Sequence, residues 1–178
     1  MNENQPHTLP PAYFDRVYQA NRDPWGFETS PYEQEKYTAT LAALPHPHYT
    51  EAFEIGCSLG VLTARLALRC AHLPQVELRH LQVPKQFPSQ QFDLIVLSEV
   101  GYYWSPADLA RAAGQLLAGL RPGGHLLLVH WTPPVHDYPL TGDDVHDYFL
   151  TKTATHAPFR HLHSQRHETY RLDLLEII

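Results

Sequence analysis

The sequence predicts an α/β fold, a mostly parallel sheet covered by helices with an antiparallel edge at its C-terminal end. Three observations predict it. A short apolar strand, Ala52-Phe53-Glu54-Ile55, runs into a turn with glycines at 56 and 60, and Val61 to Leu68 then carries helical periodicity. Strand and helix patterns go on alternating through the middle of the chain. Two strand-like pieces, Phe159–Gln165 and Glu168–Leu175, follow one another at the end.

A chain of 178 residues holds one domain with a sizeable core. Its 43% hydrophobic and 18% charged residues exclude a disordered chain. The net charge of −6, with no Lys/Arg cluster, excludes the electrostatic footprint of a nucleic-acid partner. No stretch approaches the ~20 apolar residues of a membrane span. Cys57 and Cys70 are too few for a disulfide framework, and Met1–Pro11 has neither the charged nor the apolar region of a leader. A reduced, cytoplasmic protein with a small-molecule partner is the expectation.

Residues 1–12, polar and proline-containing, are expected to be flexible, and 13–178 to form a single domain whose first part, 13–45, is a helical lid. Phe14, Val17 and Tyr18 share one helical face, and Asn21 to Phe27 read as a turn. A helix opens at Ser30 with Pro31 in its first position and Glu33 as the acid of a capping box, burying Tyr37, Leu41 and Leu44. After the glycine turn, Gln75–Val83 alternates Val76 and Leu78 against Glu77 and Arg79, the pattern of a strand. Phe92–Leu97 is a near-continuous apolar run interrupted only by Asp93, as in a parallel strand buried on both faces, and ends at Ser98-Glu99, where ligands bind in open sheets. Ser105-Pro106 opens the next helix, Arg121-Pro122-Gly123-Gly124 closes it, and His125–Trp131 is another buried strand. Thr141-Gly142-Asp143-Asp144 begins a helix through Phe149.

Gly56 and Gly60 allow a ligand to lie against the main chain, because a Cβ there would clash or forbid positive φ. Their spacing differs from the G-x-G-x-x-G of dinucleotide binders, which argues against a nicotinamide dehydrogenase. Glu54-Ile55-Gly56-Cys57-Ser58-Leu59-Gly60 resembles motif I of the class I S-adenosylmethionine (SAM) dependent methyltransferases. Phe92–Glu99 resembles their motif IV, and Leu120–Gly124 with Leu126–Val129 resembles the helix end and strand before their substrate loops. More narrowly, Asp23-Pro24-Trp25-Gly26-Phe27 with Tyr32 and Glu35-Lys36-Tyr37, then Ser98–Tyr103, then Arg166-His167-Glu168 near Tyr170–Asp173, is similar to the NodS branch. That branch contains nodulation N-methyltransferases acting on a deacetylated chitooligosaccharide.

The resemblance spans roughly residues 13–176 and implies a Rossmann-like sheet, SAM as cofactor, and methyl transfer to a small acceptor such as an amino-sugar nitrogen. It implies that Glu54 sits beneath the SAM ammonium, that Gly56, Ser58 and Gly60 cradle the cofactor, and that Ser98 and Glu99 face the same crevice. Trp25 and Phe27 read as a cover over the cofactor, and Tyr102, Tyr103, Trp131 and Tyr138 as walls of an acceptor pocket. An amine acceptor must reach the methyl group uncharged, for which His130, and after it His146, are the candidate proton acceptors. The thirteen histidines include His161-Leu162-His163, but none stands at zinc-like spacing with cysteine or carboxylate partners, so no metal is expected. Cys57 reads as small-residue packing.

Between Gly60 and Asp93 there is room for the first helix and only one strand, so the family's second strand–helix unit is missing. Glu77 lies at the sequence distance of a ribose-binding acid but inside the strand pattern. Six strands are therefore expected in place of seven. The competing reading is a non-catalytic protein of the same fold with an impaired cofactor site.

Overall fold

The computed structural model describes residues 6–70, 76–153 and 158–178. Two N-terminal helices, α1 (Pro11–Ala20) and α2 (Pro31–Ala42), precede β1 (Ala52–Ile55) and α3 (Val61–Ala67). Then come β2 (Phe92–Ser98), a 3-10 turn at Gly101–Tyr103, α4 (Pro106–Gly119), β3 (Leu120–Trp131), α5 (Gly142–Leu150), β4 (Phe159–Arg166) and β5 (Tyr170–Ile177). Among the described residues the strands form one five-stranded sheet in the order β1-β2-β3-β5-β4. β1, β2 and β3 are parallel, and the β3–β5 and β5–β4 pairs are antiparallel.

The apolar runs in β2 and β3 feed both faces of the sheet through the period-two pleat. Ile95, Leu97, Leu126 and Leu128 point one way and pack with Leu109 and Leu116 of α4 and Val145 and Phe149 of α5. Leu94, Val96, Leu127 and Val129 point the other way, against Tyr37 of α2 and Leu62 and Leu66 of α3. Local chemistry sets the helix starts. Ser105 accepts from the Asp108 amide to cap α4, and Thr141 and Asp144 form a reciprocal capping box on α5. At β3 the turn Arg121-Pro122-Gly123-Gly124 joins the strand as an irregularity, the partner in β3 jumping from Leu120 to His125 between Phe92 and Leu94.

Two expectations are corrected. The sheet has five strands and not six among the described residues, because 76–83 forms no ladder. Its alternation rests on Val76 and Leu78, which are 50% and 73% exposed, and Glu77 and Arg79 pair with each other at 2.7 Å. An apolar alternation with no neighbouring strand to pair with and no surface to cover stays irregular, and β1 is left as the edge. Gln75, the first residue of that expected strand, lies outside the described residues. The capping box on α2 is absent: Ser30 makes no side-chain cap bond, and Glu33 turns inward. Of the N-terminal residues 1–12, residues 1–5 lie outside the described residues; within the rest, the Leu9 amide donates to the Tyr103 carbonyl at 2.9 Å and Thr8 Oγ1 donates to Asp108 Oδ2 at 2.5 Å. No helix among the described residues is long and apolar enough to cross a membrane.

Candidate functional site

A cavity of about 950 Å³ opens at the carboxyl ends of β1 and β2, within the size range of small-molecule sites. Its floor is the loop after β1, lined by Gly56, Cys57 and Ser58, while Gly60 does not line it; Gly56, Ser58 and Gly60 have φ of +83°, +46° and +79°. Glycine at 56 answers a second need. A Cβ there would lie 2.1 Å from Val100 Cγ2, so the missing side chain lets the loop close on the segment after β2 and does not itself make room for a ligand. At Gly60 a Cβ would meet only Thr63 Oγ1, at 3.9 Å, and the requirement is the backbone angle.

Carboxylates dominate one end of this cavity. Glu54 accepts from Thr63 Oγ1 at 2.5 Å, and burial pushes its carboxyl up to about 7 against that bond. Glu99, held at a φ of +57°, accepts from Lys36 Nζ on one oxygen at 2.6 Å. Its other oxygen accepts from the Tyr102 hydroxyl at 2.7 Å and the Trp131 amide at 2.9 Å. Lys36 also donates to Glu33 Oε1 at 2.9 Å. Burial alone would drive the Lys36 proton off, but Glu99 and Glu33 outweigh it and raise its pKa. Burial pushes the Glu33 carboxyl up, with Lys36 opposing and Glu99 adding to the rise. Ser98, at the end of β2, lies at the edge of a small recess shared by Glu33, Glu54 and Glu99.

The N-terminal segment closes the cavity from above. Ser58 Oγ and the Tyr18 hydroxyl share a hydrogen bond of 2.5 Å, the Tyr18 and Trp25 rings meet edge to face at 5.7 Å, and Trp25 lies 5.6 Å from Phe27. All of these line the cavity. The aromatic candidates gather opposite: Tyr102 stacks on Tyr138 at 5.1 Å, Tyr103 meets Tyr138 at 4.8 Å, and Trp131 packs edge-on against Tyr32 at 6.1 Å. The irregular segment from Arg79 to Lys85 forms the remaining wall.

His130 and His146 are elsewhere, and their role as proton acceptors for a substrate is corrected. Both are fully buried, and neither lines the cavity. The Gly101 amide can only donate, so at 3.2 Å it fixes His130 Nε2 as an acceptor. His130 Nδ1 then donates to His146 Nε2 at 3.1 Å, and His146 Nδ1 donates to Asp173 Oδ2 at 2.6 Å. His161 Nε2 and Arg171 Nε complete the Asp173 carboxylate, each at 2.7 Å. Burial keeps both rings neutral by lowering their pKa values, that of His130 further through His146 and Lys36 and that of His146 against the pull of Asp173. Burial would raise Asp173, but its bonds from His146 and Ser164 and the charge of Arg171 hold it at about 2. Both ring nitrogens of His130 and both of His146 are used inside the protein. Glu77 also drops out as a ribose contact: it is exposed, paired with Arg79, and absent from the cavity wall.

Sequence reasoning missed Glu33, Lys36 and Tyr18 as parts of the site. Glu33 and Lys36 stand at i and i+3 of α2, on one helical face, which was the available signal. Among the described residues no group of three or more His, Cys, Asp or Glu side chains gathers where a metal could be held.

A family profile described as Nodulation protein S (NodS) matches residues 15–88. Nodulation protein S of Rhizobium tropici is 33% identical over 127 residues, covering 59% of this chain and 53% of that protein. Its counterpart from Sinorhizobium fredii (strain NBRC 101917 / NGR234) is 34% identical over 130 residues, covering 61% and 60%. The chain thus spans little more than half the length of the curated relatives it matches. Crystal-structure likenesses reach further. N-methyltransferase NodS from Bradyrhizobium japonicum WM9, in complex with S-adenosyl-L-homocysteine (SAH), has the same fold, with a TM-score of 0.80 at 21% identity over 93% of this chain and 97% of that one. A protein of Pseudomonas syringae, provisionally designated a methyltransferase, is 34% identical with a TM-score of 0.69, covering 82% of this chain and 98% of that one. With that identity running along nearly the whole of the Pseudomonas chain, and with the glycine loop, the carboxyl-end cavity and the strand order in place, this chain belongs to the class I methyltransferase family and resembles NodS over residues 15–88.

Proposed function

We infer that the protein binds SAM in the cavity above β1 and β2 and transfers its methyl group to a small-molecule acceptor, with an amino-sugar nitrogen as the acceptor class. The observation that carries this reading is the carboxylate-rich end of the cavity on the glycine loop. Glu33, Glu54 and Glu99 converge there with Lys36 as the cation between two of them. SAM carries a sulfonium and an ammonium, and such a surplus of buried carboxylate suits a cation. Bound SAM supplies a methyl group already activated by sulfonium, so the chain's task is to place donor and acceptor in line.

The residues divide that task. Gly56, Ser58 and Gly60 hold the loop in its left-handed shape, and Tyr18, Trp25 and Phe27 exclude water from above it. Glu99 positions the aromatic wall by accepting from Tyr102 and from the main chain at Trp131. Tyr102, Tyr103, Trp131 and Tyr138 offer ring faces of the kind sugars pack on. His130 and His146 keep the Gly101 turn, and with it Tyr102, in place. The likeness to N-methyltransferase NodS of Bradyrhizobium japonicum WM9 supports nitrogen as the acceptor atom.

One observation favours the competing, non-catalytic reading: no carboxylate stands on the Arg79–Lys85 wall, where Glu77 was the candidate for the ribose hydroxyls. Incubation with methyl-labelled SAM and a glucosamine oligomer, beside its fully N-acetylated form, separates the readings. Label transferred only to the free amine supports the proposal. Binding of SAH without transfer to either oligomer removes this acceptor class. Absence of SAH binding at millimolar ligand favours the non-catalytic protein.

A further inference from the structure

We propose that Glu33, on the inward face of α2, is a ligand-binding residue that receives the ammonium of the donor's amino-acid end, in a small recess opening off the large cavity beside the glycine loop. The proposal rests on the reading above and assigns to α2 a contact that no glycine-loop motif contains.

The recess has a volume of about 30 Å³ and is walled by Glu33, Glu54 and Glu99 together with the main chain around Gly56 to Ser58. A cavity of about 10–15 Å³ already admits one water, so this one admits a group of ammonium size and little more. It shares Glu33, Glu54, Gly56 and Glu99 with the large cavity and is a niche of it.

Glu33 is 5% exposed. One oxygen accepts from Lys36, and the other, Oε2, is buried with no hydrogen-bond partner among the described residues. The Tyr37 hydroxyl stands near enough to influence the carboxyl but does not meet hydrogen-bond geometry. Leaving a buried acceptor unmet costs about 1–3 kcal/mol, more when it is charged, so a native protein keeps one where something else supplies the donor.

The charge of the niche selects the donor. Lys36 is divided between Glu33 and Glu99, and Glu54 has only a hydroxyl, that of Thr63. Glu33 and Glu99 against the one ammonium of Lys36 leave a net negative charge, to which Glu54 adds as it ionises, and repel a ligand carboxylate. A sulfonium brings positive charge but no N–H. A water donates but leaves the charge standing. A primary ammonium does both, with protons for Glu33 Oε2 and charge against the group.

Calorimetric titration of wild type and Glu33→Gln with SAH, and with 5′-methylthioadenosine, which keeps the adenosine and thioether but lacks the amino-acid end, tests this. The expected result is SAH binding weakened about tenfold or more in E33Q, the loss typical of a charged hydrogen bond. Methylthioadenosine binding stays unchanged, and the thermal midpoint of ligand-free E33Q equals or exceeds that of wild type. The deaminated analogue of SAH adds a second arm on the same proteins: it binds wild type and E33Q alike. Equal SAH affinity in the two proteins overturns the assignment. So does a parallel loss of SAH and methylthioadenosine, or a destabilised E33Q with SAH affinity intact, since these mark a structural residue. Wild type that binds no SAH overturns the functional reading and this assignment together, whereas wild type that binds SAH with E33Q unchanged overturns this assignment alone.

Discussion

Two clusters of buried ionisable groups flank the carboxyl ends of β2 and β3, and they are built in opposite ways. Around Asp173 both carboxylate oxygens are met: His146, His161 and Arg171 point donors at them, and His130, itself fixed by the Gly101 amide, donates to His146. Around Lys36 the account does not close, with three carboxylates, one ammonium and an orphaned oxygen on Glu33. A satisfied network is a structural device that sets the Gly101 turn. An unsatisfied one that faces a cavity waits for a ligand, and its free energy is recovered when that ligand arrives.

Breaking the satisfied cluster has the largest expected effect. Asp173→Ala leaves His146 Nδ1 and His161 Nε2 without their acceptor and Arg171 with only Asp143 and Asp147, and denaturant unfolding should show a loss of about 3–5 kcal/mol, as when one partner of a buried ion pair is removed. Next comes the loop that joins the clusters to the cavity. Gly56→Ala combines a left-handed φ of +83° with a Cβ 2.1 Å from Val100 Cγ2. Backbone strain and overpacking together predict a loss of about 2–4 kcal/mol. Val100→Ala in the same chain should restore the packing part and leave the backbone part, so full recovery would deny the strain.

The two clusters also respond to pH with opposite signs. His130 and His146 have lowered pKa values in the folded protein, so below pH ~6.5 the unfolded chain takes up protons that the folded one refuses. Stability on that side falls as pH drops, by up to about 1.4 kcal/mol per unit for each ring. Glu54, raised from 4.5 to about 7, keeps a proton in the folded protein that the unfolded chain has lost, so its contribution falls as pH rises through that window. Glu54→Gln removes the second slope alone. Unfolding measured across pH should show E54Q more stable than wild type by about 1–2 kcal/mol at pH 7 and indistinguishable at pH 4.5. The same gain at both pH values would mean that Glu54 is not buried as described. Smallest is the stability change in Glu33→Gln, zero to about 1 kcal/mol in favour of the variant, in contrast to Asp173→Ala.

The sheet was legible because its signals are local and mutually consistent. Phe92–Leu97 and His125–Trp131 are apolar enough to require two covered faces, and Ser105-Pro106 and Thr141-Gly142-Asp143-Asp144 carry their own caps. The glycine loop was legible for the same reason, although the purpose of Gly56 was not, since nothing local announces Val100 on the other side of it. What failed depended on distant partners. Residues 76–83 alternate like a strand, but alternation cannot report whether a neighbouring strand exists to pair with. Glu33 sits three residues after a good N-cap, and only the arrival of Glu99 from β2 shows why it turns inward through Lys36. His130 stands near the carboxyl end of a buried strand, where a catalytic base could stand, and its ring is claimed by Gly101 and His146.

A crystal structure of the protein soaked with SAH tests the central claim most directly. The account predicts the ligand's ammonium within hydrogen-bond reach of Glu33 Oε2, its thioether over the Gly56–Gly60 loop, and its adenosine against the Arg79–Lys85 wall, with the Asp173 network unmoved. SAH lying with its carboxylate toward Glu33, or a glycine loop that stays empty at saturating ligand, would contradict it.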